Sequence, residues 1–331
     1  MNSFLLKRRT RAGILKCLLA VREVASRVLA PAGGSPMPRY VDPAVHRRRL
    51  RAALRTARET AQRTQRDVAT AMDWSLSKLI RIETGVVTIT TNDLRALLAH
   101  YGVTDQATVA EMVATARSAR QPSIWSAYND VVGPNFVAYL AHESAASVIR
   151  GFEPLLVPGL LQTPDYARAV LLKESTRPDE TKVQTLLELR LARQELLAAG
   201  NDRPQIFYLL DEAVIRRVVG GPSVMRQQLR YLLELIEAPD VSVLIVPFRA
   251  GIYSLLRWPS ILLEFADLAD ANMLYIEHPE RDFLVREGEH EIPELGHPSA
   301  YLEAYWEVEN LALDQSPREI LAGAIAALDS R

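Results

Sequence analysis

The sequence predicts a multidomain chain of α and α/β (α+β) type. An amino-terminal bundle of five helices precedes a mixed α/β domain in which a small sheet is covered by helices. Three observations carry this prediction. Residues 64–85, TQRDVATAMDWSLSKLIRIETG, spell two short helices joined by a tight turn. Charge is divided: residues 1–121 hold 21 Lys and Arg against 9 Asp and Glu, and residues 122–331 hold 18 against 31, although the net charge is only −1. Beyond residue 121, β-branched runs alternate with amphipathic stretches, as expected for a sheet with helices packed on it.

A length of 331 residues fits two or three domains. We expect an extension over 1–42, a bundle over 43–120 and the α/β domain over 121–331. An apolar share of 48% and a charged share of 24% are those of a globular cytosolic protein. The single cysteine, Cys17, excludes an internal disulfide and any cysteine-based metal cluster. No apolar run approaches the roughly 20 residues of a membrane span. Residues 1–38 are basic, carry Glu23 as their one acid and end in the breaker-rich PAGGSP. AGILKCLLAV is too short for a span and is interrupted by Lys16, so it makes a poor signal sequence, although an organellar transit peptide has a similar composition. We expect a disordered or loosely helical extension, with Met37 as an alternative start.

The bundle follows from caps and spacing. Its first helix is expected over 44–61, with Leu50, Leu54 and Ala57 inward. Thr64 is a good N-cap for the second, with Asp67 completing a near capping box, and Val68, Ala69 and Met72 form its inward stripe. Ala69 is small enough for the next helix to cross closely. Asp73-Trp74 makes the turn; Asp tolerates a left-handed backbone better than most residues. Ser75 caps the third helix, Leu79 and Ile82 form its buried side, and Gly85 closes it. Ser75, Leu76, Ser77, Lys78, Ile80 and Arg81 are left outward, a mixed polar, apolar and cationic face of the kind that meets base edges, thymine methyls and phosphates. VVTITT reads as an extended linker, Thr91 or Asn92 as the cap of a helix ending at Gly102, and Asp105 as the start of a last helix through Arg117.

At Thr64-Gln65-x-x-Val68-Ala69 and Ser75-x-Ser77-Lys78-Leu79-x-x-Ile82-Glu83-x-Gly85 the chain resembles the Cro/repressor-like helix-turn-helix regulators, the xenobiotic-response-element family. The resemblance implies a transcriptional regulator that binds double-stranded DNA. It also implies that Gln65 touches the phosphate backbone and braces the reading helix. Asp73 stands where the family's turn has glycine, and Leu76 replaces its frequent glutamine, so a thymine-methyl contact is expected there in place of adenine readout. The DNA-contacting set is Thr64, Gln65, Arg66, Ser75, Leu76, Ser77, Lys78, Arg81 and Thr84. Thr88 and Thr90 lie at the same edge, where phosphate contact and plain loop solvation are alternatives. Upstream, Arg47, Arg48, Arg49, Arg51, Arg55 and Arg58 form a cluster that either neutralises phosphates or makes a solvated helix face.

Past Gln121-Pro122, Trp125, Tyr128, Phe136 and Tyr139 come at short intervals, and an apolar helix is expected to run through about Arg150. These aromatics could line a ligand pocket, but core packing is the expected role. Thr163-Pro164 starts a helix carrying Tyr166 and Ala169. Helices are expected at 179–198, 223–237, 298–312 and 316–328. Strands are expected at QIFYLL, VSVLIVPF, SILLEF and NMLYIE, the last two forming a hairpin. FEPLLVPGLLQTPDYARAVL (152–171), LRLARQELL and LDEAVIRRVVGG resemble a domain of unknown function, numbered 5753, found downstream of helix-turn-helix motifs in actinobacterial regulators. That resemblance implies regulation, in some members antitoxin-like, with a small partner protein encoded nearby; it brings no activity with it.

Little points to catalysis. The six histidines show no HExxH pairing. Glu287, Glu289, His290, Glu291 and Glu294 read as a solvated acidic loop before a metal site. Asp211-Glu212 beside Arg216-Arg217 is explained by pairing within one helix, and Gly220-Gly221 is too sparse to cradle phosphate. The expected protein is a non-enzymatic, cytoplasmic, nucleoid-associated regulator without cofactor or metal. Its second domain dimerises, binds a small partner protein, or both. The alternative is a ligand-gated factor whose second domain senses a small molecule.

Overall fold

A computed structural model describes residues 40–174, 177, 179–199, 203–266, 271–278, 280–288 and 296–329. The chain divides into two compact units, one of them Val41–Ser126 and the other running on from Ala127. The expectation for the amino-terminal extension falls on residues 1–39, outside the described residues, as do 289–291 and 294 of the acidic loop. None of the described helices is long and apolar enough to cross a membrane.

The first unit is a five-helix bundle: α1 (Pro43–Thr60), α2 (Gln65–Ala71), α3 (Leu76–Glu83), α4 (Thr91–His100) and α5 (Gln106–Ser118). Each begins where a short polar side chain takes up an orphan amide. Asp42 accepts from Ala44, Thr64 from Asp67, Ser75 from Lys78, Thr90 from Asp93 and Asp105 from Thr108. The cap of α4 is thus Thr90, one residue before the expected Thr91, because Thr91 already has helical geometry. Leu54, Val68, Leu79, Leu94, Leu97 and Leu98 meet in one core, with Ala69 among them where α2 and α3 cross.

The second unit holds a mixed six-stranded sheet in the order β3-β2-β1-β4-β5-β6. Its strands are β1 (Val148–Glu153), β2 (Gln205–Asp211), β3 (Val241–Val246), β4 (Ser260–Glu264), β5 (Met273–Ile276) and β6 (Phe283–Arg286). Between and around them lie α6 (Pro134–Glu143), α7 (Pro164–Leu171), α8 (Glu180–Ala198), α9 (Glu212–Arg216), α10 (Pro222–Leu235), α11 (Pro298–Ala312) and α12 (Pro317–Asp329). β1, β2 and β3 are mutually parallel, joined by helical crossovers. β4, β5 and β6 continue antiparallel on the other side of β1. The β4–β5 hairpin is the expected one. One sheet face packs Phe152, Leu209 and Val246 against Tyr305 and Val308 of α11.

Two expectations are corrected. The helix expected to run through Arg150 stops at Glu143, and residues 148–153 form the central strand. There Val148 to Glu153 pair with β2 on one side, and most of them with β4 on the other, a gain that local helical periodicity does not match. The sheet has six strands where four are expected, since Val148–Glu153 joins it at the centre and Phe283–Arg286 adds an edge strand to β5.

Gly151 is required by its partner. It lies opposite Tyr208, and a Cβ built on it would sit 2.0 Å from Tyr208 Cε1. Gly151→Ala is therefore expected to destabilise the sheet by at least about 1–3 kcal/mol, the range of core overpacking. A lowered urea midpoint with an unchanged m-value would show it, and a smaller residue in place of Tyr208 should recover part of the loss.

Candidate nucleic-acid interface

The motif is built from local chemistry outward. Thr64 and Asp67 close a full capping box: the Thr64 hydroxyl accepts from the Asp67 amide, and the Asp67 carboxylate accepts from the Thr64 amide and hydroxyl. Those hydrogen bonds hold the Asp67 carboxyl below its ordinary range. Asp73 makes the turn at φ +55°, the left-handed conformation expected of it. Gly85 leaves α3 at φ +76°, and Arg51 crosses its open Cα side to donate to the Thr84 carbonyl at 2.7 Å; a Cβ there would lie 2.5 Å from Arg51 Cδ.

One carboxylate ties three helices together. Glu83, at the end of α3, accepts from Arg58 Nε of α1 at 2.7 Å, from Arg58 Nη2 at 3.3 Å and from Gln65 Nε2 of α2 at 2.7 Å. The Arg58 and Glu83 side chains are only 12% and 5% exposed, and the hydrogen bond from Glu83 raises the Arg58 guanidinium above its ordinary value. Gln65 therefore braces α3, one of the two roles implied for it. Sequence reasoning assigns Glu83 no role of its own; its signal is an acid directly after buried Ile82, in a chain with an arginine-rich first helix.

The predicted contact residues divide into two sets. Leu76, Ser77 and Arg81 lie exposed along one side of α3 with Ile80 between them, Ser75 is exposed with its hydroxyl occupied as the cap, and Leu79 and Ile82 are buried behind. Leu76 and Ile80 are each 37% exposed, a notable surface for apolar side chains. Arg66 is likewise exposed at the start of α2. Thr64, Gln65, Lys78 and Thr84 are engaged within the protein. Lys78 Nζ lies 3.3 Å from Asp93 and 3.8 Å over the Trp74 ring. The Thr84 hydroxyl donates to the Ile80 carbonyl, and Thr90 is occupied as a cap.

Several arginines of the α1 cluster are engaged within the bundle. Arg47 donates to the Ala119 carbonyl, Arg51 to Thr84 and Arg58 to Glu83; Arg55 pairs with Glu59. Arg48 is buried. The partners of Arg47, Arg51 and Arg58 lie outside α1, a placement the sequence alone does not show. Val41–Ser126 carries 13 Lys and Arg against 8 acids, so most of the basic excess of residues 1–121 lies ahead of the bundle. Arg63, Arg66 and Arg81 are exposed and form no ion pair among the described residues.

A helix-turn-helix domain family matches residues 49–112, and a domain of unknown function, DUF5753, matches residues 136–314. The chain belongs to the DUF5753 family. No curated protein and no solved structure matches it. The amino-terminal unit is a helix-turn-helix domain, and the second unit carries the DUF5753 domain.

The DUF5753 domain encloses a polar layer between its sheet and α8. Arg193 of α8 donates to Glu143 of α6 through Nε at 3.0 Å and Nη2 at 2.8 Å, and to the Tyr139 hydroxyl at 3.3 Å. Tyr139 also donates to Glu143 and stacks on Tyr275 of β5 at 4.5 Å. Burial would lower the Arg193 guanidinium, yet Glu143 and Tyr139 raise it overall. Of the aromatics at 125–139, Tyr139 lies in this layer and Phe136 packs on Tyr139 and Tyr275, while Trp125 and Tyr128 are buried, the core role expected of them. The loop after β1 is fixed by side chains. Gln194 donates to the Gly159 and Gln162 carbonyls, Gln228 to Leu161, Gln162 to Val157, and the Val157 amide donates to Tyr166. Asp211 caps α9 and accepts from Tyr253, while Glu212 pairs with Arg216 within one helix, as expected.

Proposed function

We propose that this protein is a sequence-specific transcriptional regulator of the Cro/repressor-like type that lays α3 in the major groove. Ser75, Leu76, Ser77, Ile80 and Arg81 then face base edges and phosphate, and Arg66, Thr64, Gln65, Lys78 and Thr84 border the backbone. The observation that carries this reading is the exposed side of α3 backed by Leu79 and Ile82 and held by the Glu83 clamp. Leu76 and Ile80 suit thymine methyls.

Arg81→Ala is expected to weaken operator binding on all sequences and to reduce the salt slope by roughly 0.9, the value of one phosphate contact. Ser77→Ala is expected to relax preference at one base position. Titration of the full chain on an operator selected in vitro, at several salt concentrations, checks both. Unchanged affinity in both variants would place the contact face elsewhere.

The DUF5753 domain on this reading supplies dimerisation, docking of a small partner protein, or both, in the cytoplasm at the nucleoid. Exposed apolar side chains support it: Ile252 and Trp306 flank the seam where Tyr253 packs with Tyr305, and Phe248 and Leu313 lie nearby in the chain. A dimer would read paired half-sites about 34 Å apart. A ligand-gated version is favoured by one observation, a buried carboxylate without a partner in the DUF5753 domain.

A further inference from the structure

The carboxylate is that of Glu153, the last residue of β1. It is 8% exposed, and among the described residues it accepts no side-chain hydrogen bond and has no lysine or arginine nitrogen within 4 Å. Leaving an ionisable group so placed is costly unless something else satisfies it. Burial first, and then Glu277, raise its carboxyl well above the ordinary range.

Its surroundings gather charged groups at one end of the sheet. β2 and β3 are added on one side of β1 and β4 to β6 on the other. Ligands of open α/β sheets bind outside the carboxyl ends of the parallel strands, and β1 to β3 end here. β5 runs in the same direction as β1, with β4 between them, so Glu277 just past β5 lies at the same end. Two strand spacings put the Glu153 and Glu277 backbones about 10 Å apart. By alternation from Gly151 and Tyr275 both side chains lie on the sheet face covered by α8. Glu277 is open to solvent, yet the protein around it, and then Asp282, raise its carboxyl.

Arg190 of α8 supplies the opposite charge. It is half-buried, and it donates to Gln162, a neutral amide in the fixed loop after β1. It too has no carboxylate within 4 Å among the described residues, while its neighbour Arg193 is neutralised by Glu143. Burial, and then Arg193, lower its guanidinium. Most of its five donors are thus free for a planar anion. Charges of both signs thus act on one another here without an ion pair within 4 Å among the described residues. We propose that this end of the sheet forms a cleft that binds a small zwitterion of the amino-acid class, its ammonium between Glu153 and Glu277 and its carboxylate on Arg190.

The proposal deepens the ligand-gated version of the regulator and is tested apart from it. Calorimetric titration of the full chain with each of the twenty L-amino acids, and with the amine and 2-oxo acid matching any that binds, is the direct measurement. At least one amino acid is expected to bind, its amine and 2-oxo acid at least tenfold more weakly. Glu153→Gln is expected to abolish binding without lowering the Tm of the ligand-free chain, because a neutral amide of the same size replaces an unpaired buried acid; a merely structural carboxylate would lower it. Arg190→Met is expected to weaken the amino acid more than tenfold and leave the amine unaffected. Binding by none of the twenty, or unchanged binding in Glu153→Gln, overturns the proposal. Operator affinity with and without the bound amino acid then tests gating alone: binding that leaves it unchanged supports the site and rejects the gate.

Discussion

Glu83→Ala is expected to cost the helix-turn-helix domain about 3–5 kcal/mol, the penalty for removing one partner of a buried ion pair. The loss falls on three helices at once, because Arg58 of α1 and Gln65 of α2 both donate to this carboxylate. For a unit of this size it corresponds to a fall in Tm of more than about 10 °C. Amide hydrogen exchange on the full chain should show lost protection in residues 76–83. Glu83→Gln keeps the shape and one acceptor oxygen, so it should fall between wild type and alanine. A Glu83→Ala variant within about 1 kcal/mol of wild type would mean that Leu79 and Ile82 alone hold α3.

The second large effect is expected in the DUF5753 domain. Arg193→Met should destabilise it by about 3–5 kcal/mol, since the Glu143 carboxylate, 2% exposed in its side chain, is left without its cation. Loss of the guanidinium's contacts with the Phe136 and Tyr139 rings, at 5.4 and 5.6 Å, adds to this. Arg193→Met combined with Glu143→Leu should recover most of the stability, because an apolar pair of similar volume avoids both desolvation terms. Denaturant melts of the two single variants and the double variant measure the coupling. A double variant as unstable as the sum of the singles would show that the pair does not act as a unit.

What the sequence disclosed was mostly local. Thr64, Asp67, Ser75, Asp73 and Gly85 act within four residues of themselves, so their roles as caps and turns are written in short strings. The strands at 205–211 and 260–276 were legible from β-branched and apolar runs. β1 was not, because LAHESAASVIR carries apolar residues at helical spacing and its strand character comes from β2 and β4, far along the chain. The internal partners of Arg47, Arg51 and Arg58 were hidden for the same reason: Ala119, Thr84 and Glu83 come together only in the folded bundle. Of the nine predicted contact residues, the exposed ones followed from periodicity, whereas the inward engagement of Lys78 with Asp93 and Trp74 required knowing where α4 begins. Glu153 and Glu277 each end an apolar run, a visible sign, but only the strand order makes them neighbours.

The clamp on Glu83 has an evolutionary consequence. It separates the side chains that anchor α3 from those proposed to confront the duplex. Positions 76, 77, 80 and 81 can change identity without disturbing Arg58, Gln65 or the core beneath. A lineage built on this bundle is therefore free to acquire new operators by drift at four surface sites, at almost no penalty in folding.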